Sequence, residues 1–75
     1  MTKEMVESTI LEVLGTALKR DVSEYTMETV LEEINFQSIQ LISFSALLEE
    51  KLGDAPNFRA LMNMKQLKDV RDYIL

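Results

Sequence analysis

Seventy-five residues, 47% hydrophobic and 28% charged, are enough for one domain with one thin core, and the composition is too apolar for a chain that stays disordered. The chain has no cysteine and no histidine, which excludes disulfide staples and thiolate or imidazole metal sites and removes the side chains most used for acid–base work near neutral pH. Thirteen acids against eight bases give a net charge of −5, which repels phosphate backbones and makes nucleic acid an improbable partner.

No apolar run approaches the length of a bilayer span, and the first residues lack a basic stretch followed by an apolar block, so no membrane association is expected. The expectation is a cytoplasmic monomer. The charge is unevenly placed: residues 1–37 hold eight acids against Lys3, Lys19 and Arg20, whereas residues 38–75 sum to zero.

From Lys3 to Leu18, Val6, Ile10, Val13, Leu14, Ala17 and Leu18 recur three and four apart, the spacing that lines one face of an α-helix. Gly15 costs that helix about 1 kcal/mol relative to alanine, so either the turn is loose there or a neighbouring backbone comes close. Residues 19–36 lose the period and read as a long loop. Loops of that length are uncommon unless functional or pinned, and Tyr25, Met27, Val30, Leu31, Ile34 and Phe36 are available to pin it.

A second helix is expected from Ser38 to Leu52, ended by Gly53 in the left-handed position past a helix C-terminus. Leu41, Phe44, Ser45, Leu48 and Leu52 form its core stripe. Ile39, Ile42 and Ala46 fall on a flank toward solvent, and Gln40, Ser43, Glu50 and Lys51 on the opposite side. Asp54 to Asn57 read as a turn around Pro56, and a short helix follows from Phe58 to Met62. Met64, Leu67, Val70, Ile74 and Leu75 mark a last helix, with Asn63 as its candidate cap. The sum is one all-α domain over residues 1–75, a small bundle of three longer helices and one short one.

Ser38 places a hydroxyl at the N-terminal end of a helix, where unpaired backbone N–H groups favour an anion such as a phosphate ester. The simpler reading is that Ser38, or Ser23, is only a helix cap. The pairs Glu32–Glu33 and Glu49–Glu50 read as solvated faces, because neighbouring residues do not converge on a cation.

The run Leu31-Glu32-Glu33-Ile34-Asn35-Phe36-Gln37-Ser38-Ile39 resembles the segment of acyl carrier proteins in which an apolar-Gly-apolar-Asp-Ser-Leu motif opens the second helix. Leu47 to Gly53 is similar to the end of that helix, and Leu67 to Ile74 to the family's closing helix, so the likeness spans nearly the whole chain in order. The resemblance implies a carrier without turnover of its own. A phosphopantetheinyl transferase would attach 4'-phosphopantetheine to Ser38, and the arm would present acyl thioesters to acyl-loading and acyl-processing enzymes of a specialised fatty-acid, polyketide or secondary-metabolite pathway. It also implies a docking face of Gln37, Ile39, Ile42, Ala46, Glu49 and Glu50, and an acyl shelter lined by Leu41, Leu48, Leu52 and Met64.

The motif departs from the family at Asn35, where glycine is usual, at Ile39, where leucine is commonest, and at Gln37, where an aspartate assists metal-dependent transfer. Asparagine tolerates a left-handed backbone and isoleucine conserves volume. Gln37 removes a carboxylate, and Gln40 and Ser43 stand where docking acids are common, which weakens steering by this face. The alternative is an unmodified helical interaction module that binds one partner through Ile39, Ile42 and Ala46.

Overall fold

The computed structural model describes residues 2–75. Among the described residues five helices run in chain order, α1 (Lys3–Leu18), α2 (Leu31–Ile34), α3 (Ser38–Leu52), α4 (Phe58–Met62) and α5 (Leu67–Ile74). α1 packs along α3 and against α5, and α4 closes on α3.

α1 starts where Thr2 accepts a hydrogen bond from the Met5 N–H at 3.1 Å, so a threonine hydroxyl satisfies one of the helix's orphan donors. Its periodic residues Val6, Ile10, Val13, Leu14 and Leu18 are buried as the spacing requires. The helix stops at Lys19, whose left-handed backbone (φ 57°) turns its N–H onto the Gly15 carbonyl at 2.8 Å. Gly15 itself lies under the returning chain: a Cβ there would meet Val22 at 3.4 Å and the Arg20 carbonyl at 3.5 Å. A neighbouring backbone does come near Gly15, but at distances that leave room for a methyl group, so its approach does not by itself require glycine.

The segment from 19 to 36 is not loop throughout. Leu31–Ile34 form one helical turn that buries Leu31 and Ile34, a fifth helix beyond the four expected. Pinning by apolar residues is therefore only half of what fixes the segment. Backbone hydrogen bonds do the rest: Leu31 N–H donates to Lys65 O at 2.8 Å, Leu67 N–H to Thr29 O at 3.0 Å and Lys68 N–H to Met27 O at 2.7 Å. Val30 and Gln66 form an isolated antiparallel bridge, and Gln66 Nε2 donates to Glu28 O at 3.1 Å.

That bridge also sets the start of α5. Gln66 is extended (φ −129°) and caps the helix, and Asp69 Oδ2 accepts from the N–H groups of both Gln66 and Lys65 at 3.0 Å. Met64 therefore lies outside α5, its N–H bonded to Leu61 O at 3.1 Å, and Asn63 is the C-cap of α4 rather than the cap of the last helix. Asn57 caps α4 by accepting from the Ala60 N–H at 2.9 Å. Pro56 is buried, and Ser45 Oγ donates to its carbonyl at 2.7 Å, tying the turn to α3.

The core is wholly apolar among the described residues. Of the expected α3 stripe, Phe44 and Leu48 are fully buried, while Leu41, Ser45 and Leu52 are half-buried at its margins. The stripe is narrower than the periodicity alone suggests, because α1 packs along one side of α3 and the other substantial helix contact is with the short α4.

Candidate functional site

The approach to Ser38 is built by three residues with different jobs. Asn35 ends α2 in the left-handed region (φ 61°, ψ 53°), its N–H on Glu32 O, so the chain reverses at a position that asparagine tolerates better than most residues. Phe36 then turns inward, its ring centroid 5.5 Å from that of Phe44, which anchors the strand of chain entering α3. Gln37 is extended (φ −76°, ψ 155°) and is the N-cap; its carbonyl accepts the Leu41 N–H at 3.0 Å, and its own N–H donates to Gln40 Oε1 at 2.9 Å.

Ser38 is consequently the first residue of α3 and not its cap. It is exposed, and among the described residues its hydroxyl has no hydrogen-bond partner. The capping explanation fails for Ser23 as well, whose hydroxyl donates to the Asp21 carboxylate at 3.1 Å within a turn that starts no helix. No acid lies in the first turn of α3, so the positive end of this fifteen-residue helix is left without a neutralising carboxylate. Among the described residues the two displaced pKa values belong to α5: backbone N–H groups of Gln66 and Lys65 hold the Asp69 carboxyl below its ordinary value, and hydrogen bonds to Glu7, then Asp72, raise that of the Arg71 guanidinium.

Gln37, Ile39, Ile42, Ala46, Glu49 and Glu50 all lie on the surface, with Ile39 at 66% and Ile42 at 51% exposure. Two large aliphatic side chains one turn apart, both exposed and close in sequence to an exposed serine, make a small apolar flank on α3. Gln40 and Ser43, expected on the far solvent side, are half-buried instead. They line a depression of about 250 Å³ with Gln37, Ile39 and the α1 residues Ala17 and Lys19. The packing of α1 against α3 is what encloses them.

A larger open cleft of about 770 Å³ lies between α2, the start of α3 and the α4–α5 connection. Val30, Leu31, Phe36, Leu41, Leu61, Met62 and Met64 give it apolar walls, and Glu32, Asn35, Asn63, Lys65 and Gln66 its polar rim. Of the four residues expected to line an acyl shelter, Leu41 and Met64 line this cleft. Leu48 does not, because it is fully buried in the core, and Leu52 lies at the far end of α3 from the cleft.

Sequence reasoning missed Arg20. Its Nη2 donates to the carbonyl of Ile34 at 2.9 Å, and its guanidinium carbon stands 5.9 Å from the centroid of the Tyr25 ring. The only signal for it is that Arg20 is the last base before a stretch from Asp21 to Gln37 that contains acids alone among its charged residues. Among the described residues no helix is long and apolar enough to cross a membrane. No family model, no curated protein and no solved structure matches this chain.

Proposed function

We propose that this chain is a carrier protein of the acyl-carrier type, with Ser38 as the attachment residue for phosphopantetheine. The observation that carries the reading is the Ser38 hydroxyl: exposed, without a partner among the described residues, and standing on the first turn of a fifteen-residue helix. A structural serine at such a junction would be bonded to the helix end; this one leaves that task to Gln37 and Gln40.

The residues present fit a phosphate-linked arm. The helix end presents positive potential with no acid in its first turn to repel a phosphodiester. The apolar cleft includes Phe36 and Leu41, on either side of Ser38 in sequence, so an attached acyl chain has a neighbouring surface on which to lie. When bound, the arm supplies a terminal thiol that carries acyl groups as thioesters, which is how a chain without cysteine takes part in thioester chemistry. The protein's own part is presentation: Asn35 and Phe36 fix the approach, Gln37 sets the helix start, and Ile39, Ile42, Ala46, Glu49 and Glu50 offer a contact face to a phosphopantetheinyl transferase and to acyl-loading and acyl-processing enzymes. Turnover belongs to those enzymes.

The test is the intact mass of the purified protein after incubation with coenzyme A and a broad-specificity phosphopantetheinyl transferase. A gain of one phosphopantetheine that maps to Ser38 and disappears in Ser38→Ala is expected, with the helical circular-dichroism spectrum unchanged. Loading of the alanine variant, or none of the native protein with several transferases, would overturn the assignment. The exposure of Ile39 and Ile42 favours a second reading, an unmodified module that binds through that flank. Under it Ser38→Ala binds its partner as the native protein does.

A further inference from the structure

Arg20 joins the ends of α1 and α2 through a bond to a residue fourteen positions downstream of it. Its backbone is hooked to the end of α1, where the Gly15 carbonyl accepts from both Lys19 N–H at 2.8 Å and Arg20 N–H at 3.3 Å. Its side chain reaches the end of α2, where Nη2 meets the Ile34 carbonyl at 2.9 Å. The last carbonyls of a helix have no intrahelical partner, and in a helix of only four residues the loss of one external bond is a large share of what holds the turn. A guanidinium is suited to the task, because it is always charged and its bond to a carbonyl is charge-assisted. Tyr25 stands beside that guanidinium and limits its wandering.

Beyond Ile34 the chain runs through the left-handed Asn35, the inward-turned Phe36 and the cap Gln37 to Ser38. Every residue that sets the direction of the Ser38 hydroxyl therefore lies just downstream of the carbonyl that Arg20 holds. We propose that Arg20 is a positioning residue for Ser38: by fixing the end of α2 against the end of α1, it holds the 34–38 turn in the one course that presents the hydroxyl. The inference rests on Ser38 as the modified residue for its functional consequence, and on the Arg20–Ile34 contact alone for its structural one. Arg20 acts through the turn and does not touch the reacting atoms.

Two readouts on Arg20→Met and Arg20→Lys separate these. In transferase kinetics with coenzyme A, Arg20→Met should lower kcat roughly five- to tenfold at little-changed KM, because the docking residues keep their exposure while the nucleophile loses its fixed position. Arg20→Lys, which restores a cation and a single donor, should recover part of the loss. In amide hydrogen exchange, Arg20→Met should speed exchange at residues 35–38 while α1 and α5 keep native protection. Native loading kinetics together with unchanged exchange at 35–38 would overturn the proposal. So would a uniform rise across α1 and α5, which marks a role in global stability only. If the native protein takes no arm, the Ser38 assignment falls, and the exchange pattern by itself decides whether Arg20 holds the turn. Should Arg20→Met fail to fold, Arg20→Lys compared with Tyr25→Leu carries both measurements.

Discussion

Glu7 and Arg71 stand 64 residues apart in sequence and 2.6 Å apart in space, the guanidinium Nη1 donating to the carboxylate Oε2 across the contact between α1 and α5. Both side chains are largely covered, with 14% exposure for Arg71 and 27% for Glu7, and Arg71 also binds Asp72 at 3.0 Å. Lys51 and Glu12 make the corresponding tie between α1 and α3, at 3.4 Å and with 46% and 64% exposure. Exposed pairs are screened by salt and weakened by side-chain entropy, so the two ties differ in worth. Glu7→Gln should lower the urea midpoint clearly, and Glu12→Gln hardly at all. Equal effects would mean that coverage does not protect the first pair.

Gly15→Ala should stabilise the protein by roughly 0.5–1 kcal/mol, the helix-propensity difference between the two residues. The added methyl meets Val22 and the Arg20 carbonyl at ordinary contact distances, and Gly15 is helical, so nothing needs to move. Chemical denaturation measures it directly. A loss of stability would show that the chain passing over Gly15 cannot accept even a methyl group.

Gln37→Asp places a carboxylate at the N-cap of α3, where it complements the helix end better than an amide does. About 0.5 kcal/mol of added stability is expected. If a carboxylate before the serine also assists transfer, loading at Ser38 accelerates in the same variant. Greater stability with an unchanged loading rate would separate the two effects and show that Gln37 is no handicap to modification.

Asp69 gives the fold a dependence on acid. Hydrogen bonds from the Gln66 and Lys65 N–H groups depress its folded-state pKa below the unfolded value, so its contribution is complete above the ordinary carboxylate range and is lost as pH falls through the lower folded value. Asp69→Asn should cost about 1 kcal/mol at neutral pH through weakened bonds at the start of α5, and should flatten the loss of stability on acidification. Parallel urea titrations at neutral and strongly acid pH test this, and an equally steep acid loss in the variant would assign the dependence to other carboxylates.

α1 and α3 are legible in the sequence to the residue, because each couples an apolar period to an unambiguous stop, the break of period after Leu18 and Gly53, and the short α4 is legible because the turn around Pro56 precedes it. α2 is not, since four residues make a single turn and a single turn has no period to read. The start of α5 is misplaced for a related reason. Met64 continues the helical spacing, yet the backbone of residues 65–68 is committed to Thr29, Met27 and their neighbours, partners that no local pattern reveals. At the site, exposure of Ile39, Ile42 and Ala46 follows from periodicity alone. The capping of α3 by Gln37 and Gln40 is hidden by composition, because glutamine is a weak cap beside a serine that looks like a better one. Arg20 is hidden by distance, its carbonyl partner lying fourteen residues downstream.

The backbone bonds that join residues 27–31 to residues 65–68 also lead us to expect one order of events during folding. α1 and α3 can pair as soon as residue 52 is available, but residues 27–31 between them complete their backbone bonds only against partners much later in the chain, and contacts so far apart in sequence are expected to form late. A nascent chain halted before Lys65 therefore has the Arg20 and Phe36 contacts of the lead-in to Ser38 but lacks the backbone bonds that close residues 27–31. The segment ahead of Ser38 is complete only after the last helix has docked, so a transferase that reads its full course, and not the 34–38 turn alone, would favour finished molecules over incomplete ones.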